Sequence, residues 1–389
     1  DPTDGADEPN VPYPQADPDP LDTGVTNKPV KVYIMSGQSN MVGFGLINGV
    51  APGTLATITG VENKFPNLVA SGGGWTTRND VYYHGIESDT GQGPLSADVS
   101  GAHHGPELGF GYVMGWHHDE PVLLIKGSVG NRSLRWDFLP PGSTQFEYNG
   151  NTFAGHGDSP GNWPTGTTPA PNGWYAGKEF DTMFKHEDDM GPLLTWADSF
   201  DYPKNCYIRH NGVGYRAKVA HTSAPATEPG AGSDWATSWT LRDEYNTVDI
   251  LDNFATEYPQ WAAQGFEIAG YVWWQGHKDG GGQPSAGRYE QNMVQFIKEL
   301  RNYYENRYPA NTSPDTPFVI GTIGFRGWAM TNTELVVGEA QLAVSGETGN
   351  YPEFAGNVKT VETRGYWREA EDSPRDEYYH YNWNAETYM

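Results

Sequence analysis

Five short stretches of the chain are almost wholly apolar: VKVYIMS (30–36), PVLLIKG (121–127), EIAGYVWW (267–274), PFVIGTIG (317–324) and NVKTVET (357–363). Strands of a parallel sheet are covered by helices on both faces, so they read as continuous apolar runs rather than as alternation. Helical periodicity falls between them. PELGFGYVMGWHHD (106–119) opens on a Pro, which suits a first helical turn. The stretch 241–264 carries apolar residues at Tyr245, Val248, Leu251 and Phe254. The stretch 288–307 carries them at Tyr289, Met293, Phe296, Ile297 and Leu300, and 332–344 is a shorter repeat of the theme. Strands alternating with helices predict an α/β fold, a three-layer α/β/α sandwich around a mostly parallel five-stranded sheet.

The rhythm breaks between 138 and about 240, where Gly, Pro, Trp and Thr replace periodic signals. A structureless loop of that length is improbable inside a compact domain, so the stretch reads as a small β-rich insertion with structure of its own. Within it, 205–240 holds two short alternating segments around a turn at Asn211-Gly212. Tyr215, Ala217, Pro229 and Trp235 there resemble the loose pattern of small chitin-binding-type carbohydrate modules. A plain β-hairpin insert, its Trp residues forming a minimal core, fits the same residues. Residues 1–28, rich in Asp and Pro, read as an exposed spacer, and 29–389 as one domain interrupted by 138–240.

Composition narrows the partners. The 389 residues carry 49 acidic and 24 basic side chains, a formal charge of -25. A field of that sign repels nucleic-acid backbones and anionic lipid, so neither is expected as a partner. No apolar run reaches the roughly 18 residues of a membrane span. The single cysteine, Cys206, allows no internal disulfide, and no cofactor or metal is implied; the His103-His104 and His117-His118 pairs lack a metalloprotease-type spacing. The chain opens on Asp1 and an acidic spacer, which leads to the expectation of a removed signal peptide and a secreted or periplasmic protein.

Four points along the chain carry candidate chemistry, each following a separate apolar run. Ser39, in SGQSNM, stands where a helix should begin, and the unpaired N–H groups of a helix start face incoming negative charge. The same position suits an ordinary capping serine, and Met41 departs from the G-x-S-x-G elbow. In KGSVGNRSLRW (126–136), Gly130 permits close approach of a backbone N–H to a ligand. In VWWQGHKD (272–279), Gln275 offers an amide donor suited to an oxyanion. His380 follows the last run, with Glu377 three residues and Asp376 four residues before it, the makings of an oriented general base. In a parallel sheet all four points converge on one edge.

GQSNM after the first strand, a Gly-containing turn after the second, W-x-Q-G before a helix and a late His together resemble the SGNH hydrolases, whose fold is flavodoxin-like. The branch most resembled is that of sialate O-acetylesterases and acetylxylan esterases, over about 30–137 and 241–389. The resemblance implies a carbohydrate esterase acting on O-acetyl groups of a polysaccharide or oligosaccharide. It makes Ser39 the nucleophile, the backbone N–H groups of Ser39 and Gly130 and the amide of Gln275 the oxyanion donors, and His380 the base. Gln38, Asn40, Asn131, His277 and Trp274 flank these positions and are candidates for holding the substrate. Two departures stand out: His277 occupies a position where Glu is common, and E-x-x-H replaces D-x-x-H, leaving Glu377, Asp376 and Asp279 as rival partners of His380. A general short-chain esterase or lipase of the same fold, or a non-catalytic carbohydrate-binding protein, are the alternatives. Trp75, Trp136, Trp163, Trp174, Trp273, Trp274 and Trp328 supply aromatic faces for sugar rings or for the core.

Overall fold

The computed structural model describes residues 15–389 apart from 172–173, 191–193, 205 and 242–245. All five apolar runs are strands of one large sheet: β1 (Val30–Gly37), β4 (Val122–Ser128), β5 (Phe266–Trp274), β6 (Phe318–Gly321) and β7 (Val358–Val361). The sheet has seven strands rather than the expected five, in the order β7-β6-β5-β1-β4-β2-β3. The additional pair, β2 (Thr77–Glu87) and β3 (Gln92–Ser96), extends one side, β2 parallel to β4 and β3 antiparallel at the edge. The β2 sequence, TRNDVYYHGIE, hid from the apolar-run criterion because its buried face carries paired polar groups, Arg78 against Asp80 and His84 against the Tyr258 hydroxyl.

Helices flank the sheet. Helix α2 (Glu107–His117) brings Phe110 to 5.0 Å from the ring of Tyr33 on β1. The long helix α3 (Tyr289–Arg307) brings Phe296 to 4.4 Å from Trp273 on β5, and α4 (Asn332–Ala343) follows β6. The helix expected over 241–264 is broken. Residues 242–245, including Tyr245, lie outside the described residues. Asn246 then caps a six-residue turn, Thr247–Asp252, through bonds to the amides of Val248 and Asp249, and Asn253 interrupts it before Phe254–Glu257. Asx side chains compete for backbone groups and favour such caps and stops.

The inserted stretch contains small sheets of its own. Phe146–Tyr148, Asn151–Phe153 and Asn162–Pro164 form one; Leu194–Thr195, Tyr207–His210, Val213–Ala217 and Trp239–Leu241 form another. The hairpin turns at Asn211-Gly212, where both residues have positive φ, 52° and 80°, the geometry that matches the twist of flanking strands. Trp239 is buried with Tyr202, Ile208 and Tyr215 in a separate small core, and its indole N–H is given to the Thr227 carbonyl.

Candidate active site

Register places three of the four candidate segments side by side. Gly37, the last residue of β1, pairs with Trp274 at the end of β5 and with Ser128 at the end of β4. The Gln38 amide donates to the Trp274 carbonyl (3.2 Å) and the Val129 amide to the Gly37 carbonyl (3.3 Å). Gly37 is required by this closeness: a Cβ there would sit 2.1 Å from the Trp274 carbonyl oxygen. Ser39 starts the single-turn helix α1 (Ser39–Val42), is 8% exposed, and lies between the turns that carry Gly130 and Gln275. A Cβ on Gly130 would meet nothing within 4 Å, so its backbone faces open space. Asn131, next to it, is exposed with φ 59°.

The fourth segment is tied in by aromatic residues. The Tyr388 hydroxyl, with its one proton, lies 2.9 Å from Asn40 Oδ1 and 3.2 Å from the His380 carbonyl oxygen, bridging the Ser39 turn to the histidine turn. The His380 ring stacks on Phe44, with centroids 3.7 Å apart. Its Nδ1 bonds Glu377 Oε1 at 2.8 Å, and the other Glu377 oxygen accepts the Trp383 indole N–H at 2.6 Å. Of the rival carboxylates, Asp376 is exposed, and Asp279 is buried among other partners, so Glu377 is the one on the imidazole. Tyr381, Asn382 and Trp383 all have positive φ, near 49°, 56° and 60°. Such backbone costs roughly 1–2 kcal/mol per residue and persists only where surroundings over-determine it. Here the Gly324 amide donates to the Tyr381 hydroxyl, and the Asn382 side chain accepts from the Glu377 amide and donates to the Arg368 carbonyl.

Burial pushes the His380 pKa below its ordinary value, while Glu377 opposes the shift and Arg375 adds to it. Its Nε2 and the Ser39 hydroxyl are not hydrogen-bonded to each other; in ligand-free sites this bond is often long and tightens on binding. His277 is half-buried, 4.7 Å from Phe325 and 5.1 Å from Tyr379. Burial, then the neighbouring His380 and Lys278, lower it to about 4. His277 is therefore neutral wherever a histidine base operates.

Gln275 is 1% exposed and its amide nitrogen is already engaged, facing Gln38 Oε1 (3.2 Å), the Arg132 carbonyl (2.9 Å) and Asp279 Oδ2 (2.7 Å), while its oxygen accepts the Tyr289 hydroxyl (3.0 Å). Two amide protons facing three acceptors leave none in reserve. The structure thus puts Gln275 behind the site as a brace. Gln38 shows the reverse. Its Oε1 accepts from Gln275, Gly276 N (3.3 Å) and Lys278 N (3.1 Å), which fixes the side chain, and its buried Nε2 has no partner. Asp279 links the turns further, accepting from the amides of Leu134 (2.8 Å) and Arg135 (3.0 Å); burial raises it to about 6, against the pull of Gln275 and those amides. Trp274 is 7% exposed and gives its indole N–H to the Thr322 carbonyl, which places it beneath the site rather than on its surface.

Sequence reasoning missed the support under α1. Lys126 is fully buried and donates to the Val42 carbonyl (3.0 Å) at the end of α1, with Glu107 at 2.6 Å and Asp89 at 3.1 Å. Those two carboxylates hold the ammonium charged and raise its pKa despite burial. The signal was present as a lone lysine inside an apolar strand run. Among the described residues no three of His, Cys, Asp or Glu cluster as a metal site, and no helix is long and apolar enough to cross a membrane.

No protein-family model and no curated protein matches the chain. Among solved structures it is similar to a protein from Arabidopsis thaliana, 13% identical over 87% of each chain with a TM-score of 0.39. It is similar also to a carbohydrate acetylesterase from Xanthomonas citri, 10% identical over 85% of this chain and 49% of that one, with a TM-score of 0.40. A third is NanS, 10% identical over 90% of this chain and 84% of that one, with a TM-score of 0.38.

Proposed function

We propose that the protein is a serine esterase that removes O-acetyl groups from a polysaccharide or oligosaccharide. The observation that carries this reading is the Glu377–His380 pair seated beside the Ser39 turn through Tyr388 and Phe44. In the reaction His380 Nε2 takes the proton of the Ser39 hydroxyl as its oxygen attacks the ester carbonyl. The tetrahedral oxyanion is received by the backbone N–H groups of Ser39 and Gly130. Gln38 Nε2, the unpaired buried donor next to them, is a better third donor than the engaged amide of Gln275. The C–O bond to the sugar then breaks, and the departing oxygen takes the proton from His380. Water, deprotonated by the same imidazole, releases acetate and restores Ser39. Asn40, Asn131 and His277 are the polar groups placed to hold the sugar.

A long-chain lipase would need an apolar channel opening on the nucleophile. The apolar cavity of about 350 Å³ near α1 is lined by residues including Met41, Trp274, Val319, Val361 and Tyr388, and takes in neither Ser39 nor His380. That cavity is therefore not an acyl channel serving Ser39. The decisive test is acetate release from a panel of acetylated polysaccharides. The wild type is expected to release acetate and Ser39→Ala to release none while keeping its circular dichroism spectrum. Equal release by both proteins would end the serine mechanism. Binding without release by the wild type would favour a carbohydrate-binding protein.

A further inference from the structure

Trp328 is 70% exposed, the most open of the seven tryptophans near strand ends, and Tyr379 is 54% exposed. Trp328 is lifted outward by a costly piece of backbone. Arg326 and Gly327 follow one another with φ of 61° and 55°, and a Cβ on Gly327 would press to 3.0 Å from the Arg364 carbonyl. One side of the indole is braced: the Arg364 guanidinium lies 4.8 Å from the ring centroid and is itself held in a two-pronged pair with Glu362, at 3.0 and 2.6 Å. The exposure belongs to the rest of the ring.

The feature is continuous with the site. His277 lies 5.1 Å from Tyr379, Tyr379 lies 5.6 Å from Tyr378, and the Arg326 guanidinium lies 5.2 Å from Tyr378. Trp328 follows on the same turn, where Gly327 packs close against Trp367, whose ring lies 5.9 Å from Tyr378. Arg326 is exposed and makes no ion pair among the described residues, so its N–H groups are available to hydroxyls. Flat, braced, open aromatic rings beside an unpaired multi-donor side chain are matched to pyranose rings, whose C–H faces stack and whose hydroxyls accept. A net charge of -25 disfavours a polyanion as the occupant.

We propose that Trp328, with Tyr379 and Arg326, forms a subsite that grips a neutral sugar residue of the substrate chain adjacent to the acetylated one, making the enzyme selective for polymer over monomer. This rests on the esterase reading above. The test compares wild type, Trp328→Ala and Trp328→Phe on acetylated xylan, acetylated glucomannan and an acetylated monosaccharide. Trp328→Ala is expected to raise KM for the preferred polymer about tenfold with kcat retained, and Trp328→Phe to recover most of the loss. On the monosaccharide, which offers no neighbouring sugar to stack on Trp328, the three proteins are expected to agree. If the wild type deacetylates a polymer and Trp328→Ala matches it in KM, the subsite falls and the esterase reading stands. If the wild type deacetylates only the monosaccharide, polymer selectivity is overturned. If it deacetylates none of the three, both proposals are overturned.

Discussion

At the scale of single residues, the proposed esterase chemistry turns on Glu377 and His380. Glu377 fixes the imidazole through Nδ1 and raises its pKa, against the larger lowering by burial. Glu377→Gln removes that charge, so the pKa must fall further, because nothing remains to offset burial except weaker dipoles. The acid limb of kcat/KM, already expected below pH 6.5, should move to lower pH, and turnover should drop on the order of 10²–10⁴-fold as orientation and imidazolium stabilisation are lost. A pH–rate profile checks both; an acid limb moving toward higher pH would contradict the assignment. His380 and Glu377 could be found in the sequence by their E-x-x-H spacing. The choice among three carboxylates could not, because it depends on the positive-φ turn from Tyr381 to Trp383, which no local pattern announces. Gln275 illustrates the converse: its type and place were readable, but its four partners come from Gln38, Arg132, Asp279 and Tyr289 on other segments.

At the scale of elements, the five strands that converge on the site were readable because burial on both faces leaves few polar positions. Strand β2 was not, since a buried ion pair, Arg78 with Asp80, and a buried histidine disguise it as surface. Lys126 belongs to the same category of paired buried charge and has the larger consequence, since it joins β4 to the end of α1. Lys126→Met would leave Asp89 and Glu107 buried without their cation, a loss of roughly 3–5 kcal/mol. Urea denaturation followed by tryptophan fluorescence measures it. An unchanged midpoint would mean that the carboxylates find protons or water at little cost.

At the scale of the whole molecule, a formal charge of -25 sets the background field. Self-repulsion of that size opposes the compact state and is screened by salt. Raising ionic strength from about 0.01 M to about 0.15 M shortens the screening length from roughly 30 Å to 8 Å, so Tm at neutral pH should rise. A fall would show that favourable surface ion pairs outweigh the repulsion. The sheet order also governs how the protein folds. Strand β1 lies at the centre, and the Gln38 turn at its end waits for Gln275, 237 positions later; the link from Asn40 to Tyr388 spans 348. In folding, the central strand therefore gains its neighbours from segments far along the chain, and the turns that close over its end are joined only by contacts of high sequence separation. Such contacts close slowly, and until they do the central strand keeps open edges that can pair with another copy, so yield on refolding should fall as protein concentration rises.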